Sequence, residues 1–227
     1  MRKMLLTALI LATTALAQTP FSTFDCAIYG TKVELDEQSS VDVWNAPSKS
    51  EKKDGLVVQG TEGRIPVQSP SVLSPSGPSH NLKKSEELQL RPGSYTRLEG
   101  YNSARFLLAP GVYRINSIEL HNSASIDLDG PVVLYLGKSL TLRNSGGLNE
   151  RGRPADLEVY QAEPHRPVEV QVLNSARAHM AFCGPTAKIF IKNSGQVYGS
   201  LLAQQVVLSQ QGAVHYDPGL KSVKIRK

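Results

Sequence analysis

Between Ile118 and Val214 the apolar residues fall in short runs that alternate with polar ones. Ile126-Asp127-Leu128, Leu140-Thr141-Leu142, Val168-Glu169-Val170-Gln171-Val172 and Lys188-Ile189-Phe190-Ile191 each follow a period of two. That period marks strands with one face in a core and the other in water. Val132-Val133-Leu134-Tyr135-Leu136 is apolar almost throughout and reads as a strand buried on both faces. Beyond Ala17 no stretch carries the apolar stripe of an amphipathic helix, so helices are not expected.

A recurring corner separates these strands. Asn102-Ser103-Ala104, Asn122-Ser123-Ala124, Asn144-Ser145-Gly146, Asn174-Ser175-Ala176 and Asn193-Ser194-Gly195 share it, and Gln210-Gln211-Gly212 takes its place in the last copy. Successive copies begin about 20 residues apart, with one longer interval between Asn144 and Asn174. Such a period with no helical pattern inside it predicts a solenoid, in which no coil buries its core alone. The long interval contains a polar insertion, Gly147 to Pro167, and Asn116-Ser117 falls outside the series. Asn accepts the left-handed backbone of a sharp corner and bonds locally. Asn side chains in register one coil apart also form amide ladders. Asn102, Asn122, Asn144, Asn174 and Asn193 are therefore expected to be a structural turn ladder.

Residues 18–100 are less regular. Lys32-Val33-Glu34-Leu35-Asp36 alternates like a further strand and places an early coil between Ala27 and Val43. Pro47–Lys53 and Ser69–Lys84 are rich in Ser, Pro, Lys and Gly and read as loops. Pro66, Pro70, Pro75 and Pro78 exclude a central strand across that region. The expected fold is all-β: a single-domain right-handed parallel β-helix with coils of about 20 residues and irregular loops in its N-terminal half. Its expected segments are 18–100, the repeats at 101–219 with the insertion at 147–167, and a basic tail at 220–227.

The segment Met1–Ala17 follows a different rule. Arg2 and Lys3 precede the apolar run Met4–Ala12, and Ala15-Leu16-Ala17 supplies small residues before Gln18. This is the pattern of a cleavable secretory signal peptide. The run is shorter than the roughly 20 residues a membrane span needs, so no transmembrane anchor is expected after cleavage. The expected location is periplasmic, cell-surface or extracellular. The formal net charge is +5; Arg2 and Lys3 supply two of these charges, and Lys221, Lys224, Arg226 and Lys227 supply four. The body between is near neutral, and a basic excess confined to one tail is no nucleic-acid footprint. Export permits a disulfide. Cys26 and Cys183 are the only candidates, and spacing leaves open whether they are bonded or are two buried thiols.

Several short motifs occur in a fixed order: Leu107-Leu108-Ala109-Pro110-Gly111-Val112-Tyr113, Ile118-Glu119-Leu120, Gly130-Pro131-Val132-Val133-Leu134-Tyr135, Val197-Tyr198-Gly199-Ser200-Leu201-Leu202-Ala203 and Val214-His215-Tyr216-Asp217. In this order they resemble the β-helical domain at the C-terminal side of bacterial PilX-type pilus assembly proteins. The likeness covers roughly Ala27 to Leu220. Gly199-Ser200-Leu201-Leu202-Ala203 also resembles the polymer-forming bactofilins over fewer residues. Pilus-associated members begin with a long hydrophobic pilin-type helix, where this chain has the signal-like run. The resemblance implies a β-helix in a surface setting, and it carries no catalytic residues.

Exported β-helices also include polysaccharide lyases and glycosidases, whose chemistry needs two carboxylates facing one groove. Asp127 and Asp129 are the foremost pair: two apart on a strand, they share a face with Cα atoms about 7 Å apart. Asp156 and Glu158 form a similar pair beside the insertion. The surrounding residues supply none of the other parts of such a site, so neither is expected to be catalytic. His80, His121, His165, His179 and His215 show no ligand spacing, and neither a metal nor another cofactor is expected. His215-Tyr216-Asp217 closes the last coil and reads as a terminal cap. These features together predict a non-enzymatic structural or adhesive module. Surface polysaccharide, pilus or envelope proteins, or further copies of the chain are its expected partners. A polysaccharide-active enzyme and a self-assembling polymer are the alternatives.

Overall fold

The computed structural model describes residues 24–44, 57–59 and 76–225. The signal-like segment, Pro47–Lys53, Pro66–Pro75 and the last two residues of the basic tail lie outside them. The described residues form an all-β protein of sixteen strands. The N-terminal part supplies β1 (Ile28–Leu35), β2 (Ser40–Val43) and β3 (Val57–Gln59). Next come β4 (Ser79–Leu82), β5 (Glu87–Leu90), β6 (Gly93–Tyr101), β7 (Arg105–Leu108), β8 (Gly111–His121), β9 (Ser125–Leu128) and β10 (Val132–Arg143). The remainder are β11 (Gly147–Leu148), β12 (Leu157–Gln161), β13 (Glu169–Leu173), β14 (Arg177–Lys192), β15 (Gln196–Ser209) and β16 (Ala213–Tyr216). Two short 3-10 turns, Pro154–Asp156 and Pro218–Ser222, complete the elements.

The pairings among the described strands are parallel, and successive ones join residues about one repeat apart. Leu134, for example, stands opposite Tyr113 on one side and Val159 on the other. Strands β4, β6, β8, β10, β12 and β14 follow one another, and β5, β7, β9 and β11 form a second series beside them. Alternate residues of each strand enter one interior, where Leu98, Phe106, Ile118, Leu120, Ile126, Leu140, Val170, Ile189 and Val206 are fully buried. On the outer face Phe24, Tyr29, Val133, Tyr160, Cys183, Leu202 and Leu220 make a second apolar cluster. It explains why Val132–Leu136 is apolar on both sides.

The corners have one construction. Asn and Ser both take the left-handed conformation, from Asn102 (φ 54°) and Ser103 (64°) to Asn193 (51°) and Ser194 (61°). The third residue donates its N–H to the residue before Asn, as in Ala124 N to His121 O at 3.1 Å. Two positive φ values inside such a bond make a tight type I′ turn, which Asn tolerates better than other non-Gly residues. The Ser N–H reaches the next coil, as in Ser123 N to Asn144 O at 3.0 Å. Where the third residue is Gly it lies on the backbone of the coil before it: a Cβ on Gly195 would come within 2.1 Å of Val172 O.

Three expectations are corrected. The stack begins before Tyr101: Lys84 (φ 48°) and Ser85 (67°) make a corner of the same kind, and β4 pairs with β6. The segment 147–167 is not one projecting insertion, because Leu157–Gln161 forms β12 between β10 and β14. The stretches 149–156 and 162–168 connect β12 to the strands before and after it. Third, His215-Tyr216-Asp217 is not the terminal cap. The N-terminal strands continue the stack beyond it, β1 pairing with β15 and β2 with β16. Tyr216 is buried under them, its hydroxyl donating to Phe24 O at 2.9 Å, and Asp217 caps the second 3-10 turn by accepting from Gly219 N.

Candidate functional site

The outward side of the corners carries a continuous amide ladder. Asn122 Nδ2 donates to Asn102 Oδ1 at 3.1 Å, Asn144 to Asn122 at 3.0 Å, Asn174 to Asn144 at 2.9 Å and Asn193 to Asn174 at 3.0 Å. All four bonds are exposed and point the same way along the stack. Asp36, of the N-terminal rung, ends this column: its carboxylate accepts from Ser39 Oγ at 2.6 Å, Gln210 N at 2.6 Å and Gln38 N at 3.1 Å. The Ser39 bond first, then that from Gln210, holds the Asp36 carboxyl below the usual range.

Beside the ladder lies a groove of about 320 Å³ lined by Ser123, Ser125, Ser145, Gly147, Glu150, Ser175 and Arg177. Its floor comes from one register line, Ser125 opposite Gly147 and Gly147 opposite Arg177. Gly147 makes room for Glu150, since a Cβ there would stand 2.9 Å from the Glu150 carboxylate. Desolvation by the groove walls pushes the Glu150 pKa up, against the pull of Arg177. One wall is braced by Asp127, which is only 6% exposed and accepts from Arg105 Nε at 2.6 Å. Arg151 stands 4.0 Å from the same carboxylate. Asp129 is exposed at the end of β9. The two aspartates thus face different surroundings and do not form an acid–base pair over one groove.

Farther along the same face three rings meet on successive rungs, His179 tilted against Tyr198 and Tyr198 stacked on His215. His179 and Tyr198 have centroids 4.5 Å apart, as do Tyr198 and His215. Trp44 packs edge-on against His179 and Tyr198 at 5.7 and 5.8 Å. His215 Nδ1 meets Asp42 Oδ1 at 2.6 Å. His179 Nδ1 lies 2.9 Å from Gly152 O, and burial lowers its pKa despite that contact. Asn149, nearly fully buried, fastens the 149–156 turn by donating to His179 O and Arg153 O.

The other candidates are engaged elsewhere. Asp156 pairs with Arg153 at 2.9 Å, which lowers its pKa, and Glu158 accepts from Tyr160 at 2.6 Å. Cys26 and Cys183 are both buried, and burial pushes the Cys183 thiol up to about 12. Among the described residues no group of three or more His, Cys, Asp or Glu is placed to hold a metal, and no helix is long and apolar enough to cross a membrane.

Residues 114–223 match a family described as a domain of unknown function (DUF7305). The match opens in β8 and closes just after the second 3-10 turn, so the groove, the ring stack and most of the amide ladder lie inside it. No curated protein and no solved structure matches the chain.

Sequence reasoning missed Glu150, Arg177 and Trp44. Ser123, Ser145 and Ser175 were visible as the second residue of each corner, but their convergence with Arg177 and Glu150 depends on which coils are adjacent. Trp44 has no local signal at all, because its partners His179 and Tyr198 lie at the far end of the chain.

Proposed function

We propose that the chain is an exported, non-enzymatic β-solenoid, wound as a right-handed parallel β-helix, that serves as a structural or adhesive module at the bacterial cell surface. Parallel pairing of strands one repeat apart supports the winding, and the near-universal right hand of parallel crossovers supports its sense. The signal-like segment and the likeness to pilus-associated β-helical domains support export and a surface or pilus-associated setting.

The observation that carries the binding reading is the groove beside the amide ladder. Ser123, Ser145 and Ser175 repeat along the stack at the rung spacing of about 4.8 Å, beside one carboxylate and one guanidinium. A saccharide chain running along the axis presents hydroxyls that both donate and accept, and this mixed set of groups answers both. Surface polysaccharide is therefore the favoured ligand. Asp127 then serves as a brace for Arg105 and not as an acid or nucleophile.

The test uses the chain from Gln18, immobilised and presented with a panel of bacterial surface glycans. Binding by the wild type and its loss in Ser125→Gln, with an unchanged melting curve, is the expected result. Failure to bind any glycan or cell surface overturns the adhesive reading. Release of new reducing ends or unsaturated sugars overturns the non-enzymatic one.

A further inference from the structure

One column of residues runs the length of the stack. From one end it reads Gly77, Ser94, Arg114, Tyr135, Tyr160, Cys183, Leu202, Tyr29 and Val58. From Gly77 to Leu202 the members follow chain order at intervals of roughly 20 residues, one coil each. Tyr29 and Val58 come after Leu202 in space but before Gly77 in sequence. The intervals from Tyr29 to Val58 and from Val58 to Gly77 are coil lengths of the same order. Along the chain the described rungs therefore follow one another, Tyr29 first and Leu202 last. In space its first two rungs lie on its last.

A linear stack whose first rung fits its last satisfies that fit in two ways. Within one chain, residues 60–76 connect opposite ends of eight ladder steps, about 38 Å. That segment reaches about 55 Å when extended, so closure is allowed. Between two chains the same contacts form with no such crossing, because any contact of an exchanged element is reproduced by an identical copy. The rung of Val58 then falls next to Gly77 of its own chain. There it meets the edge at the start of β4, which pairs only with β6 among the described residues.

We propose that the β1–β15 junction is a joint between copies, through which the chain assembles head to tail. The joint is specific. Seven residue pairs from Ile28↔Leu201 to Leu35↔Leu208 set its register, and four more join β2 to β16. Thr31 Oγ1 donates to Gln204 O at 2.8 Å, Ser200 Oγ to Cys26 O at 2.5 Å and Tyr216 Oη to Phe24 O at 2.9 Å. All these pairings are parallel, so each added copy points the same way, and a contact of this heterologous kind propagates as a filament. The joint is independent of the glycan groove, and either reading stands if the other fails.

Lys32 and Gln205 are register partners across the joint and are not buried. Two singly substituted chains, Lys32→Cys and Gln205→Cys, are unfolded together, refolded and oxidised. The expected product is a disulfide-linked heterodimer that forms only in the mixture and whose yield rises with protein concentration. Light scattering of the unsubstituted chain should show species that grow in the same range. A mixture that stays uncrosslinked, while the double variant closes its bond within one chain at every concentration, overturns the proposal. Glu34→Cys with Val207→Cys, a second register pair, is used if the first pair fails to recover the wild-type melting curve.

Discussion

His215 and Asp42 meet at 2.6 Å across the last two rungs of the stack, 173 residues apart in the chain. The contact joins the C-terminal coil to the N-terminal strand that covers it. Since both side chains keep some exposure, the pair is worth roughly 0.5–1 kcal/mol. Asp42→Ala should lower the melting temperature by about 1–4 °C, given about 2–4 °C per kcal/mol at this size. Tyr216→Phe removes a buried hydroxyl bond to Phe24 O and should cost about 1–2 kcal/mol. Equal melting of Tyr216→Phe and wild type would mean that the N-terminal rung does not lie over Tyr216.

The amide ladder separates two contributions at one residue. Asn144 takes φ 51° and bonds to Asn122 and Asn174. Asn144→Gly keeps the turn and loses only exposed amide bonds, so about 0.5 kcal/mol or less should go. Asn144→Ala also puts a Cβ in left-handed backbone, and about 1–2 kcal/mol more should be lost. Denaturant melts of the two variants side by side check the order, Gly above Ala.

Ala104, Ala124 and Ala176 hold the third corner position in three corners, but Gly195 and Gly212 should not tolerate the same residue. A Cβ on Gly195 would stand 2.1 Å from Val172 O, and one on Gly212 would stand 2.2 Å from Ile191 O. Backbone cannot yield as a flexible side chain does. Gly195→Ala should therefore destabilise by about 1–3 kcal/mol, visible as a lower denaturation midpoint.

His179 makes stability depend on pH with a definite sign. Burial lowers its folded pKa, so the unfolded chain binds the proton first, and stability falls as pH drops through and below the unfolded value near 6.5. At pH 7.5 this contribution is fully present. The melting temperature should fall between pH 7.5 and 5, and His179→Gln should flatten part of that fall. Parallel pH profiles of the two proteins would exclude the effect.

The cysteines give a chemical check on burial. The Cys183 thiol is held up at about 12 and both sulfurs belong to buried residues, so neither is open to thiol reagents at pH 8. Alkylation of the native chain should be negligible, and both should react in denaturant without reductant. A mass two hydrogens lighter, with neither reacting, would show a disulfide instead.

The coil is written locally, in instructions that act within a few residues. Period-two alternation makes strands, paired left-handed residues make corners, and the small third residue lets one coil lie on the next. Hence the all-β class, the repeat and the residues of the amide ladder were all legible in Asn102 to Gly212. The first corner was missed because Lys84-Ser85 makes it without Asn, and the β12 rung was hidden by the polar composition around it. Which distant rungs meet is settled only by packing between coils. Tyr29 stands against Leu202, Asp127 is taken up by Arg105 one coil earlier, and Glu150 settles over Gly147 beside Arg177. These relations depend on how many residues each coil spends and on where the first rung docks. No local backbone preference encodes either, because the energy that selects them appears only when two coils are already side by side.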